Sequence, residues 1–178
     1  MQQDIECVLF EEEALKKKVL ELGAAISRDY RDKNPVLIAV LKGSFMFMAD
    51  LIRAIDVPCH IEFMGVSSYG SKSETTGAVK ITQDLNTDIE GRHVIVVEDI
   101  LDSGLTLKYL LGYLRGREPA SLEICTLLDK PERRRVEIDC RYTGFQIPDA
   151  FVVGYGLDFA ERYRNLPYVG VLKPSVYQ

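Results

Sequence analysis

Two adjacent carboxylates, Glu98 and Asp99, followed closely by Asp102, Ser103, Gly104 and Thr106, are the residues of this chain best suited to chemistry. Ser103, Gly104 and Thr106 are small or hydroxylated, so a turn built from them offers backbone N–H groups and hydroxyls to an anion. Leu107, Leu110, Leu111 and Leu114 recur at helical steps, which puts that turn at a helix N-terminus, where negative charge is favoured. An anion and two acids repel each other unless the ligand also brings hydroxyls or a divalent cation for the acids to hold. A phosphorylated sugar with Mg²⁺ meets both demands. The alternative is a strand end with solvated acids and an N-cap.

The elements that must position these groups follow from the apolar runs. Val94 to Val97 is continuous and β-branched, which predicts a strand buried on both faces of a parallel sheet. It stops at Glu98 and Asp99, at the strand end where open α/β sheets bind ligands. Val36 to Leu41 predicts another buried strand, ending in Lys42-Gly43-Ser44, and Phe45, Met48, Leu51, Ile52 and Ile55 predict the helix after it. Ser121 to Leu128 is a third strand, ending at Asp129-Lys130-Pro131. Charge at three strand ends is expected if those ends share one cleft.

The rest of the chain is scaffold or loop. Leu15, Val19, Leu22, Ile26 and Tyr30 mark an amphipathic helix over Glu11 to Tyr30, with Lys16 to Lys18 on its wet side. Cys59 to Val66 and Val79 to Thr82 read as strands. Between them Ser67 to Gly77 is too polar and too rich in Gly and Ser to join a core, as in a surface loop or a lid. Asp149 to Gly156 reads as another strand, Val169 to Leu172 as the last. His60 and His93 lie inside or at the start of strands and read as structural.

At 178 residues the chain suits one domain, and 47% hydrophobic with 28% charged residues describes a soluble globular protein. A net charge of −5 gives no general attraction to nucleic acid or anionic membrane, so an anionic substrate needs a local basic lining. Arg133, Arg134 and Arg135 form the one basic run and read as a solvated loop face. Cys7, Cys59, Cys125 and Cys140 are widely spaced and read as buried small hydrophobes in a reducing compartment. The N-terminus lacks the pattern of a signal peptide and no apolar run reaches membrane-spanning length, so a cytoplasmic protein is expected.

Val97 to Thr106 resembles the phosphoribosyl-pyrophosphate (PRPP) motif of type I phosphoribosyltransferases, and its Glu-Asp-Ile-x-Asp-Ser/Thr-Gly form is similar to the hypoxanthine(-guanine) branch of that family. Leu41-Lys42-Gly43 matches the family's pyrophosphate loop, although Ser44 replaces a second Gly common there. Ser68-Tyr69-Gly70 is similar to its flexible loop, and Phe151-Val152 through Asp158 to its purine pocket. The resemblance implies an α/β fold: a central parallel sheet flanked by helices, a single domain over 1–178, and a small hood from the N-terminal segment and roughly 150–178.

By the same resemblance, 5-phosphoribosyl passes from PRPP to N9 of hypoxanthine or guanine, with Mg²⁺, releasing pyrophosphate. Glu98 and Asp99 would hold the ribose hydroxyls and Mg²⁺, and Asp158 a second Mg²⁺ beside the purine. Asp102, Ser103, Gly104, Leu105 and Thr106 would hold the 5′-phosphate, and Lys42, Gly43 and Arg164 pyrophosphate. Lys130 would read the 6-oxo group, Phe151 stack on the base and Val152 meet it through its main chain, while Asp102 exchanges a proton with N7. Homodimers or homotetramers are the family's habit. Two rivals remain: xanthine or another purine as the base, and a PRPP-sensing regulator that binds nucleic acid, for which this acidic chain shows neither an added domain nor a basic stripe.

Overall fold

An apolar run without alternation divides its side chains between the two faces of a sheet, and both central strands do so. In β5 (His93–Leu101), Ile95 and Val97 pack into one core while Val94 and Val96 pack into another. In β2 (Val36–Leu41), Leu37 and Ala39 face the first core and Val36, Ile38 and Val40 the second. The computed structural model describes residues 1–68 and 79–178. Around these two strands it sets β3 (His60–Ser68), β4 (Val79–Gln83), β6 (Ser121–Asp129) and β7 (Tyr142–Gln146). The order is β4-β3-β2-β5-β6-β7. Neighbours run parallel except β3 and β4.

Helices α1 (Glu12–Asp29) and α2 (Phe45–Ala54) supply the first core. Leu15, Val19, Leu22 and Ile26 of α1 are buried, as their spacing predicts. Helix α3 (Leu105–Arg115) supplies the second core through Leu107, Leu110, Leu111 and Leu114. None of the described helices is long and apolar enough to cross a membrane.

A second, three-stranded antiparallel sheet joins the chain ends: β1 (Ile5–Phe10), β8 (Val152–Val153) and β9 (Val169–Leu172), in the order β1-β9-β8. Val153, Tyr163, Leu166 and Leu172 form its own small core, and α4 (Pro174–Tyr177) ends the chain beside it.

Four expectations are corrected. The strand expected from Asp149 to Gly156 is only Val152–Val153, because Gly154, Tyr155 and Gly156 turn out of the extended region with φ of +98°, +50° and +100°. Strand β5 does not stop at Glu98 and Asp99 but runs on to Leu101, since β6 continues beside it as far as Asp129. Cys7 is exposed rather than buried; all the cysteines are free. The arginine run is no purely solvated face: Pro131–Arg133 forms a 3-10 turn, and Arg134 is largely covered by the ion pair and backbone contacts given below.

Candidate active site

The carboxyl ends of β2 and β5 and the N-terminus of α3 enclose a cleft of about 290 Å³. Gly43, Glu98, Asp99, Asp102, Ser103, Gly104 and Thr106 all line it. Gly104 caps α3 in the left-handed region at φ +81°, open to glycine at no steric cost. The N-cap offers no side chain and no acid occupies the first turn, so among the described residues the orphan N–H groups beyond Leu105 remain for a ligand. Leu105 N–H comes only within 3.4 Å of Ser103 Oγ, and its side chain does not line the cleft.

Glu98 is buried and Asp99 half-buried in the wall of this cleft. Burial, and then the neighbouring charge of Asp99, pushes the Glu98 carboxyl well above the ordinary carboxylate range. Burial raises Asp99 to about 6, against the opposing effect of the Ile100 N–H, which donates to its Oδ1 at 2.8 Å. Carboxylates raised in this way are short of positive charge. Among the described residues no three His, Cys, Asp or Glu side chains form a ready-made metal cage. The donor set instead fits a hard divalent cation, which takes one or two carboxylates and completes its shell from phosphate oxygens and water.

The Lys42–Gly43 turn closes over these acids. A side chain at Gly43 would collide with the Asp99 carboxylate, and one at Gly156 with the Gly43 carbonyl, so two backbone segments and this carboxylate meet with no room for a Cβ. Ser44 fits because its backbone is ordinary, φ −77° and ψ −4°. Fully buried, it donates from Oγ to the Val40 carbonyl at 2.6 Å. Lys42 Nζ lies 3.2 Å from Glu161 Oε2. Arg164 donates from Nη1 to the Gly156 carbonyl at 2.8 Å, and its Nη2 lies 3.0 Å from Asp158 Oδ1 and 3.4 Å from Glu161 Oε1. Asp158 therefore has an ion-pair partner, whereas among the described residues Glu98 and Asp99 have none, Arg164 acting on Asp99 only from a distance.

On the other side, Lys130 is buried at the end of β6, near the carboxylates of Asp102 and Asp149; burial lowers its pKa and those two charges oppose the change. Asp102 Oδ1 is shielded from solvent and accepts no well-aligned hydrogen bond from the described residues. The Arg133 Nε beside it, at 2.9 Å, makes an ionic contact whose N–H is not aimed at the oxygen. Arg133 Nη1 also lies 3.3 Å from Asp149 Oδ1. Arg134 pairs with Asp129 and donates from Nε to the Asp102 carbonyl at 3.1 Å, while Arg135 N–H donates to the Ser103 carbonyl at 2.9 Å. Phe151 is exposed and stacks on Tyr177 at 4.8 Å, and Val152 is buried in β8.

The structure thus gathers Gly43, Glu98, Asp99, Asp102, Ser103, Gly104 and Thr106 in one cleft. Lys42 and Arg164 line an adjoining cavity that shares Leu41 and Val66 with it. Ser68 ends β3, whereas Tyr69 and Gly70 lie outside the described residues. Sequence reasoning missed Glu161, Arg133 and Arg134. The available signal was position: two arginines just beyond a charged strand end, and an acid midway between Asp158 and Arg164.

A sequence model of the Phosphoribosyl transferase domain matches residues 9–160. The hypoxanthine-guanine phosphoribosyltransferase of Bacillus subtilis (strain 168) is 56% identical over 178 residues, which is 100% of this chain and 99% of that one. A crystal structure of a hypoxanthine phosphoribosyltransferase from Staphylococcus aureus superposes with a TM-score of 0.97 at 52% identity, covering 100% of this chain and 97% of the other. A hypoxanthine-guanine phosphoribosyltransferase from Bacillus anthracis, solved with HEPES in its active site, gives 0.92 at 53% identity, covering 95% and 99%.

Proposed function

We propose that this chain, which belongs to the phosphoribosyl transferase family, transfers 5-phosphoribosyl from PRPP to N9 of hypoxanthine or guanine, giving IMP or GMP and pyrophosphate. The observation that carries the reading is one cleft in which a helix N-terminus with no acid in its first turn, two desolvated carboxylates and the Asp102 carboxylate converge. The second sheet, built from both chain ends, is taken as the hood over the base.

Backbone N–H groups from Asp102 to Thr106, with the hydroxyls of Ser103 and Thr106, hold the 5′-phosphate. Glu98 and Asp99 take the ribose hydroxyls and Mg²⁺, with Asp158 offered to a second ion. Mg²⁺ supplies positive charge to the diphosphate, countering its repulsion from the acids. As the C1–O bond breaks and the C1–N9 bond forms, negative charge builds on pyrophosphate, where Lys42, the Gly43 backbone and Arg164 favour the transition state over the ground state. The N7 proton passes to the Asp102 carboxylate, whose Oδ1 lies 2.9 Å from Arg133 Nε in the free protein. Lys130 can only donate, so it suits a 6-oxo group and rejects a 6-amino group; Phe151 offers its ring to the base and Val152 its main chain.

A panel of purines with PRPP and Mg²⁺, following pyrophosphate release, tests the reading. Hypoxanthine or guanine should be consumed and adenine should be poor, because a buried donor facing an amino group costs about 1–3 kcal/mol. Equal turnover of adenine and hypoxanthine would sink the role given to Lys130. Xanthine preference would redirect the substrate and leave the reaction type standing.

A further inference from the structure

One residue of the hood turn has no part in the reaction above and yet sits between two of its cations. Glu161 Oε2 lies 3.2 Å from Lys42 Nζ, and Glu161 Oε1 lies 3.4 Å from Arg164 Nη2. A single carboxylate thus spans the basic groups assigned to pyrophosphate. Arg164 does not depend on it for position, being held by the Gly156 carbonyl and by Asp158.

The turn that presents Glu161 is strained. Phe159 N–H donates to the Arg162 carbonyl at 3.2 Å and Arg162 N–H to the Phe159 carbonyl at 3.0 Å. The two residues so enclosed, Ala160 and Glu161, have φ of +50° and +62°. This is the two-residue hairpin geometry that Asn-Gly adopts readily and that a Cβ opposes. A third bond, from Glu161 N–H to Asp158 Oδ2 at 2.9 Å, holds it in place. Strain that surrounding bonds maintain points to a use for the geometry, and what the geometry does here is hold a carboxylate against two cations. Glu161 is 64% exposed and Lys42 66% exposed, so their contact is weak and opens readily.

We propose that Glu161 is a displaceable internal counter-ion of the pyrophosphate site: it occupies Lys42 and Arg164 when the site is empty, competes with pyrophosphate for them, and so favours release of that product. The inference rests on the assignment of Lys42 and Arg164 to pyrophosphate in the reaction above. A diphosphate entering the site takes over both cations and leaves the carboxylate to water, which costs little at this exposure. Arg164 keeps its other anchors throughout, so the exchange needs no refolding of the turn.

The test is titration of inorganic pyrophosphate with Mg²⁺ into the wild type, Glu161→Gln and Glu161→Gly, at low and high salt. Glutamine removes the charge and keeps the length; glycine removes the charge and suits the positive φ, so the pair separates electrostatics from turn strain. Both variants should bind pyrophosphate about three- to tenfold more tightly at low salt, the range expected from freeing two exposed ion pairs, and the gap should narrow at high salt. Unchanged or weaker binding in both overturns the proposal, and so does tightening in the glycine variant alone, which would trace the effect to the turn. Because binding is read without turnover, tighter binding with no use of any purine supports the counter-ion and strikes the proposed reaction. Failure of the wild type to bind pyrophosphate overturns the counter-ion together with the assignment beneath it.

Discussion

The wall of the cleft that carries Glu98 to Thr106 is a strand end and a helix start, with β2 and β6 paired to β5 on either side. Beside it a second wall, the segment from Gly154 to Arg164 that lines the adjoining cavity through Glu161 and Arg164, is a series of turns in which Tyr155, Ala160, Glu161 and Tyr163 all take positive φ. Regular structure can fix a carboxylate in a dry wall and raise its pKa, because the ladder and the core resist relaxation. Turns cannot hold a group so firmly, but they can present ion pairs that open and close. The first wall is therefore suited to the chemical step and the second to capture and release of the diphosphate.

That division predicts separable defects. Asp102→Asn keeps the shape of the first wall but cannot take the N7 proton, so kcat should fall by about 10²–10⁴ while PRPP affinity changes little. Single-turnover rates together with a PRPP titration check this. Loss of PRPP binding with an intact chemical step would move the proton elsewhere.

A somewhat smaller effect should appear in the pH dependence of stability. Burial raises Asp99 from 3.8 to about 6, so the folded protein holds its proton more tightly than the unfolded chain does. The stability this contributes is fully present below 3.8 and is lost as pH rises through about 6. In metal-free buffer the melting temperature should decline between pH 4 and 7, the loss from this group being on the order of 3 kcal/mol. Added Mg²⁺ with PRPP should recover stability most at the upper end of that window, where the acids are ionised. A flat metal-free profile would show that the wall is wetter than its geometry implies.

The second wall can be broken without touching a charge. In Gly156→Ala the new methyl would meet the Gly43 carbonyl at a φ of +100°, so the turn must move away from the Lys42–Gly43 loop. Stability should fall by about 1–3 kcal/mol and KM for PRPP should rise, with the chemical rate in saturated enzyme nearly kept. A fall in kcat alone would mean that the two walls are coupled more tightly than their construction suggests.

The same division decides how much the sequence could reveal. Val36 to Leu41 and Val94 to Val97 announced themselves because two-sided burial demands unbroken apolar side chains, and Glu98 and Asp99 were conspicuous as the first charges after such a run. The last residues of β5 were hidden because those charges interrupt the pattern while the ladder to β6 continues past them. The hood turns were illegible for a different reason: Tyr155, Ala160, Glu161 and Tyr163 carry no side-chain signal for positive φ, which the tertiary contacts impose. Arg133 and Arg134 misled because a basic run is usually solvated, and only the fold places acids on both sides of it.

Ser44 gives the smallest expected effect and the cleanest separation of stability from binding. Ser44 stands where the resemblance to the family's pyrophosphate loop implies a second glycine. Its φ of −77° requires no glycine, and its hydroxyl closes a buried bond to the Val40 carbonyl in the turn that leads from β2 to α2. Ser44→Gly should therefore destabilise the protein rather than relax it. Losing the buried bond costs about 0.5–1.5 kcal/mol, and the freer unfolded chain adds about 0.4–1 kcal/mol. Pyrophosphate affinity should stay as in the wild type, because Gly43 stays packed against the Asp99 carboxylate and Gly156. Denaturant midpoints and a pyrophosphate titration on the same preparation separate the two quantities. If affinity shifts while stability does not, the hydroxyl is holding the turn in tension, and the first wall reaches further into diphosphate binding than its construction implies.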